Sequence, residues 1–213
     1  MSRAPIKGRT MTERQIQRAL YWMCRDSCSV IMPNFTPYSW WECDIFAVTH
    51  ARYFREYEIK LSVSDFKADR NKKRGRCIRK ENPDQDAWDR YRYESVWERK
   101  HQMLEDRNIN GPVEFSFVVP DGLVKPEDVP PWAGLYYATW RWESQKYPTL
   151  TVVRKPKRLH REKINQRYLD GAFRSAYYRF WSQLHMIDDR GGKMTDESWA
   201  EDDKQAETSE EQV

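Results

Sequence analysis

The stretch "WECDIFAVTHARYFREYEIKLSV", residues 41 to 63, decides how the chain folds, because it reads as two strands with a reversal between them. "WECDIFAVTH" alternates as a strand does, "ARYF" allows a turn, and "FREYEIKLSV" resumes the β-rich pattern. A turn centred near His50 to Arg52 makes the pair a hairpin and sets Asp44 across from Tyr57 or Glu58. Period two then puts Glu56, Glu58 and Lys60 on one side of the second strand and Tyr57, Ile59 and Leu61 on the other, one side polar and the other packing.

Upstream, "MTERQIQRALYWM" reads as a helix starting near Glu13, with Thr12 as N-cap, Gln15 as its capping-box partner and Met11 and Ile16 as a hydrophobic staple. A turn-rich stretch with Pro33 and Pro37 separates it from the hairpin. Downstream, Ser64 or Asp65 caps a short helix through "DFKADRNKK", and "DAWDRYRYESVWERKHQMLED" has helical character. "VEFSFVVP", "PPWAGLYYATW" and "TLTVVRK" are three further strands, with Pro120, Pro130, Pro131 and Pro148 at the joints. In residues 161 to 186, Ile164, Tyr168, Ala172, Phe173, Ala176, Tyr177, Phe180 and Leu184 recur at helical spacing, the stripe of a helix packed on a core.

The chain of 213 residues is 39% apolar and 33% charged, which suits one aromatic-rich domain with appendages. The organisation expected is a basic segment at 1–10, a domain at 11–186 with a charged helical insertion at about 74–98, and an acidic disordered tail at 187–213. That tail holds ten acidic and three basic residues, so removing its balance of −7 from the net +4 leaves +11 on residues 1–186. A basic body suits a polyanionic partner, and equally a merely soluble surface. The four cysteines lack CxxC spacing and the opening residues lack the apolar stretch of a leader, so a reduced, cytoplasmic protein is expected. No apolar run reaches the roughly 18 residues of a membrane span.

Asp44 and Glu58 form a carboxylate pair whose burial calls for neutralisation, which a divalent cation supplies to hard oxygen ligands. Lys60, on the same strand face as Glu58, is placed to stabilise developing negative charge. The spacing describes a solvent-facing ladder of Glu and Lys equally well.

An Asp on one strand followed by Glu-x-Lys on the next resembles the signature of the PD-(D/E)XK nuclease superfamily. The extended pattern "ECDIFAVTH…REYEIKLSVSDFKAD…KK" with "FSFVVPDGLVKPEDVPPWAGLYYA" looks like its MmcB-like DNA-repair proteins and related phage and bacterial proteins. Cys43 stands where the motif often has Pro. The resemblance implies an α/β, restriction-endonuclease-like core of αβββαβ order, with a mixed central sheet flanked by helices. It implies a deoxyribonuclease using Mg²⁺ or Mn²⁺, in which Asp44, Glu58 and the carbonyl of Ile59 hold the ion and Lys60 is catalytic. Glu13 matches an acidic residue that many members carry on the first helix, and it also suits the first turn of any helix. DNA phosphates would be met by Lys67, Arg70, Lys72, Lys73, Arg74 and Arg76, with a second patch at Lys155, Lys157 and Arg158. Trp40 and Trp41 read as base-stacking or as core residues, and Asp65 as part of the pattern or as a helix cap. Two other functions fit the same residues: a catalytically silent nucleic-acid-binding module of this fold, and an interaction protein of a replication or packaging complex.

Overall fold

A computed structural model describes residues 9–81 and 91–189. Residues 1–8 and 190–213, and with them most of the basic segment and of the acidic tail, lie outside the described residues. The chain divides into two compact units after Ala172.

The first unit contains α1 (Glu13–Cys24), β1 (Cys28–Phe35), β2 (Cys43–Thr49), β3 (Phe54–Ile59), α2 (Val63–Asp69), β4 (Lys73–Glu81), β5 (Tyr91–Arg99), α3 (Lys100–Glu105), β6 (Glu114–Pro120), β7 (Gly134–Thr139), β8 (Thr149–Arg154) and the start of α4 (Gln166–Asp189). Six strands form one mixed sheet in the order β1-β2-β3-β6-β7-β8, parallel at β3–β6 and β6–β7 and antiparallel elsewhere. β4 and β5 form a separate antiparallel ribbon.

The hairpin expectation holds in register. Ile45 pairs with Tyr57, and the chain reverses through Arg52, whose φ of 67° lies in the left-handed region. Thr49 closes the turn: its carbonyl accepts from Arg52 N–H, and its Oγ1 accepts from Tyr53 N–H. α1 starts as expected, with both halves of the Thr12–Gln15 capping box formed. Ile16, Leu20 and Cys24 of α1 pack on Ile45, Ala47, Tyr57, Ile59, Val118 and Ala138. Each fully buried aliphatic side chain of this kind stabilises the fold by about 1.5–3 kcal/mol. The opposite sheet face is aromatic: Phe46 stacks on Phe54 at 4.7 Å, Phe115 on Phe117 at 5.0 Å, and Phe66 of α2 on Phe117 at 5.0 Å.

Four sequence expectations need correction. The first part of the turn-rich stretch before the hairpin, with Pro33, is strand β1, while Pro37 lies in the turn that follows; Pro33 is tolerated because β1 is the sheet edge. The helix after β3 is capped by Ser62, whose Oγ accepts from Asp65 N–H, and not by Ser64 or Asp65. The described part of the charged insertion, 74–81 and 91–98, belongs to the β4–β5 ribbon and not to a helix, residues 82–90 lying outside the described residues: its oppositely charged residues pair across strands, as Arg74 does with Glu98 at 2.7 Å. The stripe of α4 is core only at its beginning. Ile164, Tyr168 and Ala172 are buried, whereas Phe173, Tyr177 and Phe180, in the second unit, are exposed.

Arg9 lies 3.8 Å over the ring of Trp140 and donates to the carbonyls of Glu143 and Gln145. Among the described residues no helix is long and apolar enough to cross a membrane.

Candidate functional site

β3 is where the sheet changes direction: β2 on one side is antiparallel to it and β6 on the other is parallel. Past Ile59 the chain leaves β3, and Lys60 N–H donates to Val118 O of β6. Side chains from the end of β3, from the start of β2 and from the crossover elements α2 and α3 converge there.

Register sets Asp44 across from Glu58, one step beyond the Ile45–Tyr57 pair. Its Oδ2 accepts from the Ile59 N–H at 2.6 Å, occupying a backbone donor that the ladder has ceased to use. Among the described residues no basic group forms an ion pair with Asp44. Burial, and next the charge of Glu58, push its carboxyl up to about 7; the charge of Glu13 acts in the same direction. Gln17 Nε2 links Glu13 to the Asp44 end of the site, 2.8 Å from Glu13 Oε1 and 3.3 Å from the Asp44 carbonyl.

Glu56, Glu58 and Lys60 do share one side, but that side is closed: their exposures are 0%, 1% and 7%. A solvent-facing ladder is thereby excluded. Glu56 pairs in register with Phe46 and Phe115, so two carboxylates enter an aromatic layer. Lys100 of α3, which has no signal in the sequence, neutralises both, its Nζ 2.6 Å from Glu56 Oε1 and 2.6 Å from Glu58 Oε2. Lys60 and Lys72 take Glu58 Oε1 at 2.9 and 3.0 Å. Trp40 Nε1–H donates to Glu56 Oε2 at 2.8 Å. Asp69, buried on the inner side of α2, lies 3.2 Å from Lys60 Nζ and 2.7 Å from His101 Nε2. Asp65, at 3.6 Å, is the outermost partner of Lys60.

Three carboxylates, Glu56, Glu58 and Asp69, thus meet three ammonium groups, Lys60, Lys72 and Lys100, in one connected set. Burial alone pushes the Glu58 carboxyl up, but Lys100, Lys60 and Lys72 outweigh it and hold Glu58 below the usual range. Burial works against the charge on Lys60, and Glu58 and Asp69 overcome it, keeping Lys60 an ammonium far above neutral pH. Lys60 is consequently suited to stabilising negative charge and not to removing a proton.

Asp44 and Glu58 differ in their readiness for a cation. Among the described residues Asp44 has no ionic partner, and its proton affinity is raised, which fits a divalent ion. Glu58 already has an ammonium group at each oxygen, so an ion shared by both must compete with these for its lone pairs. Among the described residues no group of three or more His, Cys, Asp or Glu side chains is arranged to hold a metal.

The expected phosphate contacts scatter. Lys67 is exposed on α2, and Arg70 donates to the Asp128 carbonyl at 2.7 Å. Lys72 is turned inward to Glu58, which removes it from the surface set. Arg74 is bound to Glu98 and the Ser39 carbonyl and lies over Trp41, and Arg76 reaches Glu98 at 3.5 Å. Lys73 lies over the Trp97 ring at 5.1 Å. Lys155 and Lys157 are exposed, while Arg158 covers the Tyr53 ring. Trp40 and Trp41, 2% and 5% exposed, are core residues and present no face for a base. Asp69 had a signal in the sequence, its helical spacing from the apolar Phe66; Lys100 and His101 lie in an unbroken polar run and had none.

No protein-family model matches this chain, and no curated protein does. Among solved structures, a protein of unknown function from Silicibacter pomeroyi is similar in fold, with a TM-score of 0.53 at 15% identity over 90% of this chain and 100% of that one.

Proposed function

We propose that the chain is a metal-dependent nuclease of the restriction-endonuclease-like fold, hydrolysing DNA phosphodiester bonds. The observation that carries this reading is the meeting of Asp44, which has no ion-pair partner among the described residues, with Glu58 and a charged, buried Lys60 at the point where β3 changes from an antiparallel to a parallel neighbour. The element order, a helix, three strands, helical crossover and a parallel strand, supports the same core. Asp44 and Glu58, with the carbonyl of Ile59, would hold Mg²⁺ or Mn²⁺, which when bound supplies Lewis-acid activation of a phosphate or a water. Lys60, fixed by Glu58 and Asp69, would stabilise charge building on the phosphate oxygens. Glu13 and Gln17 would orient the Asp44 side of the site. Because Asp44 holds its proton near neutral pH, loading a cation there would release one.

A second reading, a silent nucleic-acid-binding module, draws support from Glu58: three ammonium groups already do for it what a metal would do. Incubation of labelled single-stranded, double-stranded and branched DNA with Mg²⁺ or Mn²⁺ separates the two. The nuclease reading expects cleavage by the native protein and at least about a hundredfold loss in both Asp44→Ala and Lys60→Ala. DNA binding without cleavage in all three proteins overturns it in favour of the silent module.

A further inference from the structure

The β4–β5 ribbon sorts its side chains by strand period. Arg74, Arg76 and Ile78 of β4 share one face with Glu98, Val96 and Glu94 of β5. On that face Arg74 and Arg76 pair with Glu98, and Ile78 and Val96 are half-buried. The other face takes Lys73, Gly75, Cys77 and Arg79 with Arg99, Trp97, Ser95 and Tyr93, and all eight are exposed.

This outward face is unusual in two respects. Tyr93 and Trp97 are 69% and 65% exposed, although aromatic rings of this size ordinarily supply core area. By register it takes three cations, Lys73, Arg79 and Arg99, against one carboxylate, Glu81. Trp97 lies over Gly75, and Lys73 Nζ is 5.1 Å from the ring centre. The two rings stand four residues apart on one strand, roughly 13 Å.

We propose that the outward face of this ribbon binds single-stranded nucleic acid, bases stacking on Tyr93 and Trp97 while Lys73, Arg79 and Arg99 meet the phosphates. It rests on the nucleic-acid part of the proposed function and not on turnover. Positive charge selects a polyanion, and exposed ring faces select unpaired bases, because the bases of a duplex have their faces covered by their neighbours. The sequence run Lys67 to Arg76 gave basic residues by adjacency; the ribbon replaces adjacency with alternation, and of that run only Lys73 stays on the outward face.

The test uses the full chain in EDTA, where binding is separated from cleavage. Fluorescence anisotropy is recorded with labelled oligo(dT), oligo(U) and a mixed-sequence duplex, for the native protein and for Tyr93→Ala/Trp97→Ala. We expect the double variant to bind both single strands about tenfold or more weakly, with duplex binding little changed. Lys73→Ala should lower the slope of log affinity against log salt by about 0.7. Cys77, on the same face, is exposed while Cys24, Cys28 and Cys43 are buried, so its maleimide labelling gives a readout in the unmutated protein. Saturating oligo(dT) should protect Cys77, with Cys77→Ser supplying the background. Unchanged single-strand affinity in the double variant, or Cys77 labelling unaffected by bound oligonucleotide, overturns the proposal, and the second result stands even where the variant folds poorly. Protection of Cys77 by a protein that cleaves nothing keeps the ribbon and removes the nuclease; cleavage with Cys77 unprotected does the reverse.

Discussion

Lys100 Nζ lies 2.6 Å from Glu56 Oε1, and neither side chain has any exposed surface. The same nitrogen holds Glu58, which also has Lys60 and Lys72, so removing it leaves Glu56 with no ammonium partner beside Glu58 inside an aromatic layer. Lys100→Met should destabilise the protein by about 3–5 kcal/mol, the cost typical of breaking a buried ion pair from one side. Urea unfolding measures it. Adding Glu56→Gln to that variant should recover part of the loss, and an unstable double variant no better than the single one would count against charge as the cause.

Trp40 links this pair to a distant turn. A Cβ on Gly111 would lie 2.5 Å from the Trp40 ring, which donates to Glu56. Gly111→Ala should therefore cost about 1–3 kcal/mol by overpacking and loosen the Glu56 carboxylate. A thermal melt detects the first effect, and altered Trp fluorescence near the folded baseline the second.

Asp44 gives stability an uncommon pH dependence. Its proton is held up to about pH 7 in the folded protein, above the ordinary carboxylate range, so the folded state binds more protons than the unfolded one between about pH 4 and 7. Stability contributed at Asp44 accordingly falls as pH rises through that window. Glu58 and Asp69 have the opposite sign: both are held below their usual values, and their contribution is lost only on acidification through the carboxylate range. Asp44→Asn, whose amide oxygen still accepts from Ile59, should gain on the order of 2 kcal/mol relative to the native protein between pH 5 and pH 8. Urea titrations at four pH values test this; parallel curves would show that Asp44 ionises normally.

Arg154 at the end of β8 donates to four carbonyls, those of Pro126, Val129, Pro130 and Ala133, and so closes the connection between β6 and β7. Arg154→Ala should cost about 3 kcal/mol, and Arg154→Lys should recover little, because an ammonium group cannot reproduce the planar spread of donors. Equal stability of the lysine and arginine proteins would show that only the charge matters.

The hairpin of residues 43–59 was legible because its strands alternate and a single turn bounds the register; that narrowed the partner of Asp44 to Tyr57 or Glu58, and the observed pairing of Ile45 with Tyr57 decides for Glu58. Glu13 was legible through the capping box that starts α1. β1 was obscured by Pro33, which an edge strand accepts. The ribbon was misread because neither strand carries an apolar stripe: one face meets solvent, and the other is stitched by Arg–Glu pairs that resemble helical charge patterning. The stripe of α4 was read as core throughout, yet Phe173 and Tyr177 are exposed.

What the sequence by itself determined is local: the strand period that separates Glu56, Glu58 and Lys60 from Tyr57 and Ile59, and the caps and turns that bound the elements. What only tertiary structure decided is which charges meet. Glu58 is bound by Lys72 and Lys100, fourteen and forty-two residues further along the chain. In a chain this rich in Lys and Arg no short-range pattern selects those two, since pairing across a sheet and its crossover helices depends on where the backbone returns.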